Sequence, residues 1–400
     1  MSMDASGYCG FLRKDFVSCY TFPMMPNFQT IQTLIPPGFI DLGAGEPQPD
    51  LLPLDLLRDA VAHRFGLGDK DFLQYGLEQG DGYFRAALAG FLSARCGFSV
   101  SHNDLFTTSG ISSALSLLCT LFTKPSDTIY VEEPSYFLAL RIFVDHGLHV
   151  VPIRTDTSGL VLEDMVAALS VSKPKFLYVV PTFQNPSGQT LSQERREKLV
   201  KLAKEHDFLI LADEVYQFLS YTQTPPKSFG AYIDSEHVIS LGSFSKILAP
   251  GLRLGWLQTH KSIMQRIISC GMLDSGGGMN PFTSTIVRSL IESGGLDRNI
   301  SILLSVLGER VRGMSDLLQK HIPQAQFVPP HGGYFFWLHV PGMDAKELRK
   351  KAQAHKVDLR PGILFSSQNG LSEYFRLSVS HYGVERIEEG ILRLKKCFES

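Results

Sequence analysis

A lysine, an aspartate, an asparagine and a glycine-led helix stand where apolar runs end in this chain of 400 residues. The run FLYVV leads into PTFQNPSG and presents Asn185; FLILA leads into Asp213, Glu214 and Tyr216; VISL leads into Gly242, Ser243, Ser245 and Lys246. A fourth segment, FTTSGISSALSLL, turns through Gly110 into a helix whose free N–H groups and positive dipole end suit a phosphate. Each feature alone has a plain reading: an aspartate caps a helix, a lysine is solvated, NPSG makes a turn. In an open parallel sheet, however, ligands collect beyond the carboxyl ends of the strands, where all these groups are expected. Together they offer an amine for imine formation with an aldehyde, a carboxylate to keep a pyridine nitrogen protonated, donors to a ring oxygen, and an anion cradle.

The elements that must position them are legible as short β-rich runs: TIYVEE at 128, HVVPI at 149, KFLYVV at 175, FLILADE at 208, VISLGS at 238 and LGWLQ at 254. Helical stretches alternate with them, which predicts an α/β fold with a mainly parallel sheet. One such stretch, LSQERREKLVKLAKEHD, starts on a Ser192 cap and keeps Leu199, Leu202 and Ala203 on one face. Past Pro281 a long helical stretch follows, and then a smaller α+β segment in which GGYFFWLHV and YFRLSVSH read as strands and MDAKELRKKAQAH and VERIEEGILRLKKCF as helices. Residues 1–38, with Pro23, Pro26, Pro36 and Pro37, read as an irregular arm. The expected division is therefore an arm at 1–38, a large domain at 39–290 and a small C-terminal domain at 291–400.

Composition removes several classes of function. A formal charge of -2 gives no basic excess for nucleic acid. Six cysteines, at 9, 19, 96, 119, 270 and 397, form no CxxC pair, and His146 with His149 lacks acidic or cysteine company, so neither a disulfide scaffold nor a metal site is expected. The longest apolar run, Ile111 to Phe122, is too short to cross a bilayer and reads as a buried helix. The N-terminus lacks a secretory core, which points to the cytoplasm.

With these residues in view, SFSKILAPGLRLGW resembles the cofactor-lysine motif of the class I/II aminotransferases, the fold type I group of pyridoxal-phosphate enzymes. The resemblance runs from about residue 40 to the C-terminus through IDLGAGEPQPDLLP, LQYGLEQGDGYFRAALAGFL, EEPSYF, PTFQNPSGQTLS, LADEVYQFL, GGYFFWL and YFRLSVS, and is nearest to the 2-aminoadipate and kynurenine aminotransferase group. It implies a large domain with a seven-stranded sheet between helices, a small α+β domain, pyridoxal 5'-phosphate as cofactor, and amino acid and 2-oxo acid substrates. It implies that Lys246 holds the cofactor as a Schiff base and moves the proton. Asp213 would pair with the ring nitrogen, Asn185 and Tyr216 would bond the ring oxygen, and Tyr136 would stack on the ring. Ser243, Ser245 and Arg253, with the backbone of Gly110, Ile111 and Ser112, would hold the phosphate, and Tyr75 would reach the phosphate of the other subunit of a homodimer. Arg376, helped by backbone at Gly45, would take the substrate carboxylate.

The family places a hydroxyl residue and a glutamine where this chain has Ile111 and Ser112; backbone donors do not depend on side-chain identity, so a weaker or rearranged cofactor grip is expected rather than loss of binding. GGGMNP at 276 lacks the context of a dinucleotide fingerprint and is expected to line the dimer-facing side of the site. The main reading is amino-group transfer to a 2-oxo acid such as 2-oxoglutarate by a ping-pong cycle. Alternatives are a C–S β-lyase or an aminocyclopropane-carboxylate-synthase-like reaction on the same scaffold, or a non-catalytic regulatory relative. A winged-helix module is not expected in the roughly 38 residues before the enzyme-like part.

Overall fold

The computed structural model describes residues 31–399. Residues 31–39 form an irregular segment with a turn closed by Phe39 N–H on Pro36 O at 3.0 Å. The arm expected at 1–38 lies mostly outside the described residues, as do Cys9 and Cys19. Contacts gather Ile40–Ser400 into a single unit.

The centre of that unit is an eight-stranded sheet. Its strands are β1 (Leu105–Thr108), β2 (Thr128–Glu133), β3 (His149–Asp156), β4 (Gly159–Leu160), β5 (Phe176–Val179), β6 (Leu209–Asp213), β7 (Val238–Ser243) and β8 (Gly255–Thr259). They lie side by side in the order β1-β8-β7-β6-β5-β2-β3-β4. The run from β7 to β3 is parallel, whereas β8 pairs antiparallel with both β1 and β7. Two antiparallel steps restore direction, so β1 ends at the same sheet edge as β7. Seven strands match the expected sheet. The eighth, β4, is a two-residue return on β3 through Gly159, whose φ is +93° and where a Cβ would lie 2.8 Å from Leu191.

Both faces of this sheet are covered, which is why its strands read as continuous apolar runs. Every residue of β1, β5, β7 and β8 is buried. Phe84, Phe106, Phe143 and Phe176 are among the fully buried side chains, each contributing about 1.5–3 kcal/mol of transfer free energy. The run from Ile111 forms the helix Ile111–Phe122, which buries Ala114, Leu115, Leu117, Leu118 and Cys119. The helix Gln193–His206 starts on Ser192, whose Oγ accepts the Arg195 N–H at 3.3 Å.

The C-terminal part supplies a three-stranded antiparallel sheet, β9 (Phe335–His339), β10 (Arg360–Pro361) and β11 (Tyr374–Ser378), ordered β9-β11-β10. A short parallel pair joins Ile40–Asp41 to Val357–Asp358, so the segment carrying Gly43 and Gly45 begins on C-terminal structure. The boundary expected at 290–291 falls within the helix Pro281–Glu292, which the 27-residue helix Gly295–His321 follows. Among the described residues no helix is long and apolar enough to cross a membrane, and no group of histidine, cysteine and acidic residues could hold a metal.

Candidate active site

Asp213 ends β6 at the carboxyl edge of the sheet and is 3% exposed. Its Oδ2 accepts the Tyr178 O–H at 2.8 Å and its Oδ1 the Val215 N–H at 3.3 Å. Tyr178 sits in register with Leu211, two residues before Asp213 on the same face of the neighbouring strand. Burial pushes Asp213 up to about 6, against the Tyr178 and Val215 hydrogen bonds and the charge of Lys246. Among the described residues Asp213 has no ion pair. The phenol of Tyr178 is itself held well above its ordinary value by burial, so it stays a donor. Sequence reasoning missed Tyr178; within FLYV it reads as one more core aromatic.

Lys246 follows β7 by three residues. Its Nζ donates to Gly45 O at 2.7 Å and stands 5.2 Å from the centre of the Tyr334 ring. Burial first, then the Arg376 charge, pushes this amine down to about 8, with Glu46 and Asp213 opposing. A lysine that sheds its proton near neutrality is a usable nucleophile and base.

Arg376, on β11, is 4% exposed. Its Nη1 donates to Asn185 Oδ1 at 2.7 Å and its Nη2 to Gly43 O at 2.8 Å. The guanidinium lies between two rings, 3.9 Å from the centre of Phe335 and 4.9 Å from that of Phe365. Its buried Nε has no hydrogen-bond partner, and among the described residues it has no ion pair. Because Asn185 commits its oxygen to Arg376, the amide turns its Nδ2 out as a donor. Gly43 braces the arginine, while Gly45, expected beside the substrate carboxylate, holds Lys246. Tyr216, 3% exposed, packs edge-on against Phe335 at 5.9 Å. Half-buried Tyr136 precedes the helix Phe137–Asp145 and feels the charges of Asp213, Arg376 and Arg253.

The residues expected to form an anion cradle come together at the same edge. Gly110, with φ of +86°, caps the helix Ile111–Phe122 without any side-chain cap, so the first N–H groups, including those of Ile111 and Ser112, point outward. Arg253, just before β8, stands so close that a Cβ on Gly110 would meet its Nη2 at 3.0 Å. Ser243 donates to the Ser245 hydroxyl at 3.0 Å and accepts the Ser245 N–H at 3.1 Å.

Tyr75 does not join this recess within the chain. It is 84% exposed in a separate groove of about 740 Å³, shared with Arg64, Phe72, Tyr83, Arg85 and Arg288. The GGGMNP loop braces its segment: Gly278 donates to Gly76 O at 3.1 Å, and a Cβ on Gly278 would lie 1.8 Å from Leu77 O. From the same loop, Asn280 donates to the Arg253 carbonyl.

An uncapped helix start beneath an arginine, a buried carboxylate lacking an ion pair, an arginine with an orphaned Nε and an amine of lowered pKa fit a bound phosphate, a ring cation, a carboxylate and an aldehyde. Residues 37–394 match the sequence profile of the Aminotransferase class I and II family. The chain is 34% identical to aromatic-amino-acid aminotransferase 1 of Thermococcus litoralis, over 90% of this chain and 88% of that one. It superposes on the kynurenine aminotransferase of Pyrococcus horikoshii with a TM-score of 0.85 and 31% identity, covering 90% and 91% of the two chains. It likewise superposes on the alpha-aminoadipate aminotransferase of Thermus thermophilus, with a TM-score of 0.82, 26% identity and coverage of 91% and 92%. The chain belongs to the class I and II aminotransferases, and it is a pyridoxal-phosphate-dependent transaminase of fold type I.

Proposed function

We propose that this enzyme moves the α-amino group of an aromatic, aliphatic or 2-aminoadipate-type amino acid to a 2-oxo acid such as 2-oxoglutarate, in two half-reactions at Lys246. The substrates in the names of its relatives support the aromatic and 2-aminoadipate parts of this range. Pyridoxal phosphate, when bound, supplies an aldehyde that condenses with amines and a ring that takes up the electron pair left at the substrate's Cα. Lys246, once neutral, removes the Cα proton and returns it on the other side of the exchange. Asp213, aimed by Tyr178, sets a negative charge against the ring nitrogen. Asn185 Nδ2 and the Tyr216 hydroxyl donate to the ring oxygen, and Tyr136 covers a ring face. Ser243, Ser245, Arg253 and the backbone of Gly110, Ile111 and Ser112 hold the phosphate. Arg376, already flattened between Phe335 and Phe365, takes the α-carboxylate without reordering a flexible chain.

The observation that carries this reading is the Arg376–Asn185 hydrogen bond, which joins the carboxylate receiver to a ring-oxygen donor beside Lys246. The groove around Tyr75 supports a homodimer with shared sites. Phe65, Phe72 and Phe282 cluster there with ring centres 5.8, 5.9 and 6.2 Å apart, beside exposed Leu73, Leu77 and Tyr83. Among the described residues Cys96, Cys119 and Cys270 are free thiols, which suits a cytoplasmic setting.

A panel of amino acids added to holoenzyme without any oxo acid tests the assignment. The cofactor absorbance is expected to move to the amine form, with one amino group transferred per site; release of ammonia and pyruvate would instead mean a lyase. Retention of turnover by Lys246→Ala would overturn the role given to that lysine.

A further inference from the structure

Glu132 is 1% exposed at the end of β2, and the reaction as derived makes no use of it. Its Oε2 accepts the Val180 N–H at 2.8 Å and lies 3.4 Å from Gln184 Nε2. That nitrogen also donates to Pro134 O at 2.6 Å. At its other end, Gln184 Oε1 accepts both the N–H and the O–H of Ser187, at 2.9 and 2.7 Å. All four hydrogen-bonding positions of the Gln184 amide are thereby used, and a flipped amide would set donor against donor at Ser187 and acceptor against acceptor at Pro134. The two segments joined are those that carry Tyr136, two residues past Pro134, and Asn185, next to Gln184. Arg196 opposes the Glu132 charge only at longer range, and burial pushes the carboxyl up to about 8, so near neutral pH it is an uncharged acid.

We propose that Glu132 is a positioning residue which, through Gln184, ties the Asn185 loop to the strand end carrying Tyr136 and so sets how amide and ring meet the cofactor. The inference rests on the assignment of Asn185 and Tyr136 to the ring. A neutral acid suits the task, because a second carboxylate near Asp213 would compete for the ring cation, and an acid can accept from Val180 and Gln184 without one.

The test is pyridoxal-phosphate binding to cofactor-free protein, read as an apparent Kd and as the absorbance maximum of the bound cofactor. Glu132→Ala and Gln184→Leu are each expected to weaken binding about tenfold and to shift the band, as loss of a buried hydrogen-bonded tie implies. Glu132→Gln, which keeps the acceptor, is expected to stay within about twofold of wild type. The double variant Glu132→Ala/Gln184→Leu is expected to lose less than the product of the two single losses, since each single change already cuts the Glu132–Gln184 contact. Wild-type binding and band by Glu132→Ala would overturn the proposal, as would failure of Glu132→Gln to rescue, or losses that multiply in the double variant. Should Glu132→Ala not fold, Glu132→Gln and Gln184→Leu decide it alone. Asn185→Ala separates the layers: if it leaves binding and band untouched, the ring assignment fails; if it changes them while the Glu132 series does not, only the present inference fails.

Discussion

Arg196 and Arg376 are both buried, at 0% and 4% exposure, yet their surroundings are opposite. Arg196 spends its fork on backbone and hydroxyl oxygens: Nε on Leu191 O at 3.0 Å, Nη1 on Lys227 O at 3.0 Å, Nη2 on Pro181 O and Thr182 Oγ1, both at 2.7 Å. Glu214 stands 3.8 Å from it as counter-charge. Arg376 has one amide oxygen, one carbonyl and two aromatic faces, with Nε left over. Burial pushes both arginines below their ordinary value. A satisfied buried cation is a strut, whereas an under-partnered one is a receiver waiting for an anion.

The sharpest way to break this contrast is to replace each arginine with leucine. With Arg376 in its proposed role, Arg376→Leu is expected to lower kcat/KM about a thousandfold, roughly 4 kcal/mol, because a two-pronged charged contact to the substrate carboxylate would be lost. The urea midpoint of the cofactor-free protein should hold or rise. Arg196→Leu should do the reverse, costing about 3–5 kcal/mol of stability because Glu214 is left buried without its partner. Whatever folded fraction remains should bind cofactor normally. If the two variants lost stability alike and kept activity alike, the distinction between strut and receiver would be wrong.

Tyr178→Phe probes the same contrast at Asp213 with a smaller effect. Removing the O–H takes away the strongest hydrogen bond that keeps this carboxylate charged, so its already raised pKa climbs above about 6. Cofactor binding that needs the ionised acid should weaken about tenfold at pH 7, and its acidic limb should move to higher pH. The sign for stability is opposite to that of an ordinary ion-paired acid. Folded Asp213 holds its proton more tightly than the unfolded chain does, so stability falls as pH rises from about 4 to about 6. In the Phe variant that decline should extend further upward. Urea midpoints of cofactor-free protein at pH 5, 6 and 7 check it, and an unmoved profile would show that Tyr178 does not govern the charge on Asp213.

The same contrast explains what was legible in the sequence. The six apolar runs became β2, β3, β5, β6, β7 and β8; five of them are buried on both faces and need uninterrupted apolar residues, whereas β3 buries only Ile153, and Lys246, Asp213 and Asn185 are readable because polar residues break those runs at their ends. Tyr178 was hidden because a phenol inside such a run looks like packing until its register with Leu211 is known. Which glycine carbonyl serves Arg376 was equally hidden. Gly43 lies so close to Arg360 that a Cβ on it would meet Arg360 Cγ at 2.8 Å, although more than 300 residues separate the two. Tyr75 lies outside the recess of its own chain, a placement that spacing along the sequence does not report. The two-residue β4 was too short for any periodicity to show.

The smallest effect comes from loosening the strut without touching its charges. Ser192 caps the helix that carries Arg196, accepting the Arg195 N–H at 3.3 Å through its side chain, while its carbonyl accepts the Arg196 N–H at 3.0 Å. Ser192→Ala removes only the side-chain acceptor and should cost about 1 kcal/mol of unfolding free energy. Arg196 keeps its carbonyl partners, so the loop through Thr182 to Asn185 should stay in place and kcat/KM should remain within about twofold, as for a local loss that spares the site. Urea unfolding and steady-state kinetics on the same preparation decide it. A fall in kcat/KM out of proportion to the lost stability would mean that the strut reports to the receiver, through Thr182 and Asn185, and that the two buried arginines form one device.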